Sequence, residues 1–245
     1  MRKKEIECHI GCSGFHYKEW KEIFYPKGLA TGKWFRYYTT HFDTMESNLT
    51  FYRLPLLTTL LKWHDDSVDD FSFCVKAPRL VTHYKRFNNC EAELARFYNI
   101  IREGLQDKLS CILFQMPPSF AYSPEKLDGI ITALDPSFNN VLEFRHTSWW
   151  NNDVYKRLKK YSITFCSISH PKFPDDIIST SPYFYFRFHG VPDLYYSVYN
   201  KDYLDTIIKK IKKEKGIEKA YIYFNNTAGI GAIENAGYVK GIVRG

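Results

Sequence analysis

The chain has 245 residues, 44% of them hydrophobic, with 34 Lys and Arg against 27 Asp and Glu and a formal net charge of +7. That length suits a single domain over residues 1–245, and no apolar run is long enough to span a bilayer. Met1 to Glu7 are charged and lack the apolar stretch and small-residue cleavage site of a secretory leader, while the mild positive excess permits an anionic partner without requiring one.

In chain order, an apolar strand is predicted over Glu7 to Gly11. It runs into the turn Gly11-Cys12-Ser13-Gly14-Phe15, where backbone N–H groups could meet an anion. A helix over Lys33 to His41 leads to a strand over Thr44 to Asn48, and Pro55 starts a helix over Leu56 to His64. The third strand, Phe71 to Lys76, precedes an amphipathic helix over Glu91 to Glu103, with Leu94, Phe97, Tyr98 and Ile101 on one side. After the strand Cys111 to Gln115, Ser123-Pro124-Glu125-Lys126 reads as an N-cap with proline at the first helical position. The strand Val141 to Arg145 and the helix Asn152 to Tyr161 come next. Behind the sixth strand, Thr164 to Ser169, the prolines Pro171, Pro174 and Pro182 make the helix short or missing. The strand Tyr183 to His189, the helix Lys201 to Lys215, the strand Tyr221 to Asn225 and the helix Ile230 to Ile242 complete the series.

Eight strands alternating with helices predict an α/β protein with a TIM-like (β/α)₈ barrel. Several strands are nearly continuously apolar, as in Cys111-Ile112-Leu113-Phe114, which suits parallel strands covered by helices. Lys209, Lys210, Lys212, Lys213 and Lys215 alternate with Ile207, Ile208 and Ile211 at helical spacing, and read as a solvated helix face rather than a nucleic-acid patch. The six scattered cysteines include no C-x-x-C pair. Reduced, buried thiols in a cytoplasmic protein are the expectation.

In such barrels the loops after each strand build the site. Residues i and i+2 share a strand face, and three strands end in polar pairs at that spacing: Glu46 with Asn48, Glu143 with Arg145, and Arg187 with His189. Lys76, Gln115 and Asn225 end three more, the last followed by Asn226. Charges at the ends of apolar strands are costly unless paired or wet. Six such ends on one rim predict either a site or a salt-bridged plug closing the barrel mouth. Cys12 is a small packing residue more readily than a nucleophile, since no base stands beside it in sequence.

At these residues the chain resembles the YecE-like family, also known as domain of unknown function 72. The matching segments include Ile10 to Phe15, Phe24-Tyr25-Pro26, Glu46 to Arg53, Phe73 to Pro78 with Thr82-His83, and Leu113 to Phe120. They continue through Glu143 to His146 with Ser148-Trp149, Arg187 to Gly190, Tyr223 to Asn226 and Gly231-Ala232 with Asn235-Ala236. The resemblance implies a TIM-like barrel and brings no settled activity. Three departures stand out: Cys12-Ser13-Gly14-Phe15 where Thr-Ser-Gly-Trp is usual, Thr227 where Asp is frequent, and Ser169-His170 where many members carry Asp. The two missing carboxylates argue against a multi-metal cluster.

Three functions compete. The first is an enzyme, or former enzyme, acting on a phosphate- or carboxylate-bearing substrate, a nucleotide or nucleic acid included. Lys76, Arg145, Arg187 and His189 would bind the anion, Glu46 or Glu143 would be acid or base, and His189 could share that role. Ser13, Asn48, Gln115, Asn225 and Asn226 would add polar contacts. No cofactor is required, and Glu46, Glu143, His189, His83 and His146 would support at most a single divalent metal. The second is a glycoside-type hydrolase using the pair Glu46 and Glu143, with Tyr52 and Trp149 as sugar platforms. The third is a binding module without chemistry. Val191 to Tyr196, after the seventh strand, is read either as a loop over the mouth or as a packed crossover. The pattern fixes no oligomeric state.

Overall fold

A computed structural model of the chain describes residues 5–244. Residues 1–4, most of the charged N-terminal segment considered above, lie outside the described residues. Eight parallel strands close into a barrel in sequential order, each hydrogen-bonded to the next and the last to the first. They are β1 (Glu7–Cys12), β2 (Thr44–Ser47), β3 (Ser72–Lys76), β4 (Leu109–Gln115), β5 (Asn140–Glu143), β6 (Thr164–Ser169), β7 (Tyr183–Phe188) and β8 (Lys219–Phe224). The helices are α1 (Trp34–His41), a single turn α2 (Leu49–Tyr52), α3 (Leu57–Asp66), α4 (Glu91–Leu105), α5 (Pro124–Ala133), α6 (Asn152–Lys160), α7 (Lys201–Lys213) and α8 (Gly231–Arg244). Between β3 and α4 the chain makes a π-helical turn over Leu80–Lys85. Among the described residues, no helix is long and apolar enough to cross a membrane.

The continuous apolar character of the strands has a direct cause, because both of their faces are buried. One set of alternate residues, including Phe73, Val75, Ile112, Phe114, Leu142, Phe186, Phe188 and Phe224, packs outward in the main core with the helices. The other set, including Cys74, Cys111, Leu113, Val141, Cys166, Ile168, Tyr185, Tyr221 and Tyr223, fills the barrel interior. Met45 and Phe144 belong to the outer set, as expected of the neighbours of Glu46 and Glu143. The alternation therefore delivers Glu46, Lys76, Gln115, Glu143 and Arg187 to the inside of the barrel at its C-terminal end.

Local signals act where the sequence places them. The Ser123 hydroxyl accepts from the Lys126 N–H with Pro124 at the start of α5, and Asn200 caps α7 through the Tyr203 N–H. The buried stripe of α7 is Leu204, Ile207, Ile208 and Ile211, while Lys209, Lys210 and Lys213 face solvent. No helix forms over residues 170–182. That segment instead returns to the barrel, where the Thr180 hydroxyl accepts from the Phe165 N–H at 2.8 Å. All six cysteines are free, and five of them are buried.

One boundary difference bears on the site. Asn48, Arg145, His189 and Asn225, expected as the last residues of strands, lie just beyond them. The ladder continues through single bonds there, from His189 N–H to the Ser169 carbonyl at 2.9 Å and from Asn225 N–H to the Phe188 carbonyl at 2.8 Å. By strand alternation these side chains keep the inward direction, one or two residues past the regular pairing.

Candidate functional site

The strand ends converge on a cavity of about 400 Å³ at the C-terminal mouth. Asn48, Lys76, Gln115, Arg145, Arg187 and Asn225 line it, each at or just past a strand end. Tyr52 lines it too, from α2. Four further lining residues, Tyr17, Phe51, Tyr195 and Thr227, come from loops and short turns. Strand periodicity does not reach such positions. The sequence signals for them were of other kinds: Phe51 follows the Glu46–Asn48 pair, Thr227 follows Asn226, and Tyr195 lies in the Val191 to Tyr196 loop read either as covering the mouth or as a packed crossover.

Beneath the cavity lies a layer of ion pairs. Arg187, 1% exposed, donates from Nη2 to Glu46 Oε1 at 2.6 Å and from Nη1 to Glu143 Oε2 at 2.5 Å. Glu46 Oε2 also accepts from the Tyr185 hydroxyl at 2.7 Å. Arg145 donates from Nε to Glu143 Oε1 and from Nη2 to His189 Nε2, the latter at 2.9 Å. Burial alone would raise the Glu143 carboxyl, but Arg145 and Arg187 outweigh it and hold the group well below the usual carboxylate range. Burial likewise opposes the charge of Arg187, and Glu143 with Glu46 overcomes it. The two sequence expectations are thus stacked: a salt-bridged plug below, a polar cavity above.

Glu46, Glu143 and His189, named from sequence as catalytic candidates, belong to the plug. None of the three lines the cavity, and all are fully buried. Burial, reinforced by Arg145 and Arg187, depresses the His189 imidazole well below its ordinary value, so the ring is neutral. Arg145 can only donate, which leaves Nε2 as the acceptor and puts the proton on Nδ1. Nδ1 lies 2.9 Å from the Asn225 amide group. That amide must then present its oxygen, its two ends being interchangeable by rotation.

Lys76 is different. It is 9% exposed, donates to Gln115 Oε1 at 2.7 Å and sits 4.2 Å from the centre of the Phe51 ring. Among the described residues no carboxylate pairs with it. Burial, then Arg187, brings its ammonium down to about 8. Two imidazoles near the mouth report the same positive surroundings. His83 is brought down to about 4 by burial and then Lys76, and His170 to about 4 by burial and then Arg145.

Other expected positions fall elsewhere. Trp149 is not a platform: it is fully buried, stacked on Phe144 at 3.9 Å between ring centres, and its indole N–H donates to the Phe120 carbonyl. Asn226 is buried and ties Ser197 to Asn235 at 3.0 and 3.1 Å. Ser13 is buried in the wall of a neighbouring apolar recess. In the glycine turn, three successive N–H groups are occupied within the protein and are not free to meet an anion. Cys12 N–H donates to the Tyr38 hydroxyl at 2.7 Å, Ser13 N–H to the Phe224 carbonyl and Gly14 N–H to the Cys12 carbonyl. Gly11 is needed for close approach, since a Cβ there would lie 2.0 Å from the Thr44 carbonyl oxygen. Burial pushes the Cys12 thiol up, away from nucleophilic reactivity. In the loop after β7, Tyr195 reaches the cavity while Tyr196 is 73% exposed. Among the described residues, no group of three or more His, Cys, Asp or Glu side chains could hold a metal ion.

The sequence model of the family described as "Protein of unknown function DUF72" matches residues 9–244, and the chain belongs to that family. The UPF0759 protein YecE of Escherichia coli K12 is 28% identical over 116 residues, 46% of this chain and 42% of that one. The UPF0759 protein YunF of Bacillus subtilis 168 is 27% identical over 144 residues, 56% of this chain and 51% of that one. The chain therefore spans about half the length of the curated relatives it matches. The crystal structure of a DUF72 family protein from Thermotoga maritima MSB8 superposes with a TM-score of 0.88 at 27% identity, covering 98% of this chain and all of that one.

Proposed function

We propose that this DUF72 protein binds a phosphate- or carboxylate-bearing ligand in the cavity at the mouth of its barrel. One observation carries the reading: Lys76 is a buried cation without a carboxylate partner, and it faces that cavity. Three cations, Lys76, Arg145 and Arg187, stand there over two carboxylates, and both carboxylates are taken by the arginines. A buried charge without a counterion is costly, and a bound anion relieves that cost. The Arg187 Nε–H is buried without a hydrogen-bond partner, so its positive group is not fully satisfied within the protein. A recess of about 400 Å³ suits a small molecule or one group of a larger one.

The same geometry favours binding over proton transfer. Glu143 orients two guanidinium groups and is too acidic to accept a proton near neutral pH. The His189 lone pair points at Arg145. The glycoside reading is supported less well, because Glu46 and Glu143 share one guanidinium and neither lines the cavity. A reducing, cytoplasmic setting belongs to this proposal and is supported by six free cysteines. The test is calorimetric titration with sulfate, phosphate and small dicarboxylates. Saturable binding that Lys76→Met abolishes is expected; no binding by wild type, or equal binding by Lys76→Met, overturns the reading.

A further inference from the structure

A second cleft, of about 370 Å³, adjoins the anion cavity. Phe51 and Tyr52 line both recesses, so the two meet at these side chains. Arg53, Arg79 and Arg96 line the second cleft, and all three are exposed. None of them has a carboxylate within ion-pair distance among the described residues, and Glu93 in the same wall is taken by Lys85 at 2.5 Å. Arg79 lies between two tyrosines, with its guanidinium carbon 5.9 Å from the Tyr52 ring centre and 5.6 Å from that of Tyr84. Those rings are 65% and 66% exposed.

Such a surface combines flat aromatic faces with guanidinium groups that lack counterions. A sequence-tolerant single-stranded nucleic acid demands both: bases stack on exposed rings and phosphates meet the cations. An apolar protein partner would cover the tyrosines but leave three arginines desolvated and unpaired, which is costly. We propose that the cleft of Tyr52, Arg79 and Tyr84 is a docking track for single-stranded nucleic acid, leading one phosphate into the cavity over Lys76. This rests on the anion reading of the cavity and extends it to a substrate class. The solvated lysine face of α7 is a separate cationic surface and serves as the control.

The experiment is fluorescence anisotropy with labelled oligothymidylate and oligouridylate of about 15 residues, long enough to cross both recesses. Unlabelled inorganic polyphosphate is the base-free competitor. Tyr84→Ala and Arg79→Ala should each weaken oligonucleotide binding roughly tenfold, the scale of losing one stacked base. Both side chains are exposed, so circular dichroism should show the fold unchanged. Lys209→Ala/Lys213→Ala should leave affinity within about twofold, as expected of cations outside the contact. Oligodeoxyuridylate against oligouridylate, which differ only at the 2′ position, assigns the sugar. The proposal is overturned if oligonucleotides do not bind, if polyphosphate of equal charge competes as well and Tyr84→Ala changes nothing, or if only the lysine pair matters. Sulfate titration separates the two readings. Sulfate binding without oligonucleotide binding removes the track alone, and absence of both removes the cavity reading as well.

Discussion

Arg145 donates to the Nε2 atom of His189 at 2.9 Å, so a guanidinium occupies the place where a proton would make the imidazole cationic. Protonating Nε2 would turn an attractive contact into a repulsion between two buried donors. His189 should therefore stay neutral, as the Nδ1–H tautomer, between about pH 5 and 8, the interval in which free histidine titrates. Nitrogen-15 correlation spectra of the imidazoles would show it. A His189 ring titrating near the free value would mean that the Arg145 contact is not formed in solution.

Arg187 is the centre of the plug, touching Glu46 and Glu143 with separate nitrogens. Removing it would strand two carboxylates in the barrel, and breaking a buried pair in this way costs about 3–5 kcal/mol. Arg187→Met should lower the urea midpoint accordingly. Arg187→Lys, which keeps charge but loses the fork, should also destabilise by a smaller amount. Full burial of the guanidinium is why even this charge-conserving change costs stability. A midpoint unchanged in Arg187→Met would show that the ion pairs add nothing to stability.

The barrel was legible because its elements carry short-range signals: apolar strands at regular spacing, the Ser123-Pro124 cap, and three prolines where a helix is absent. The rim was legible because an inward direction repeats every two residues, so Glu46, Lys76, Glu143, Arg145 and Arg187 came together. The vertical order within the rim was not legible. Spacing says that a side chain points inward, but not whether it ends in the plug or in the cavity. That depends on how neighbouring strands are staggered, as in the pairing of Gln115 with Glu143 and of Arg187 with Tyr223. Trp149 was misplaced for a related reason. It lies beyond the strand, in a short 3₁₀ turn, where period-two reasoning has no force.

Tyr52 and Trp149 now make a discriminating pair. Trp149→Ala should cost about 3–5 kcal/mol, the scale for a large buried aromatic, and should leave anion affinity intact in the folded fraction. Tyr52→Ala should leave the melting temperature near wild type, because its ring is 65% exposed. Thermal melts of the two variants decide between them. Equal losses of stability would place Tyr52 in the core and remove it from the wall of the site.

Lys76 supplies the pH signature. Its ammonium is brought down to about 8 from an ordinary 10.5 by burial and then by Arg187. Between those values the unfolded chain holds a proton that the folded chain lacks, so this group makes stability rise with pH across that window. Below about 8 both states hold the proton, and the cost of burying the charge is fully present. Anion binding runs the other way, because it needs the charged form. Sulfate is the suitable probe, since its own charge is constant over this range. Its affinity should fall as pH rises through about 8, and bound sulfate should draw the Lys76 ammonium back up. Lys76→Arg stays charged at any ordinary pH, so its sulfate affinity should be flat from about pH 7 to 9. Calorimetry on both proteins across that range is the measurement. A wild-type affinity that does not change with pH, or a fall that the arginine variant shares, would show that Lys76 is not the group that meets the anion.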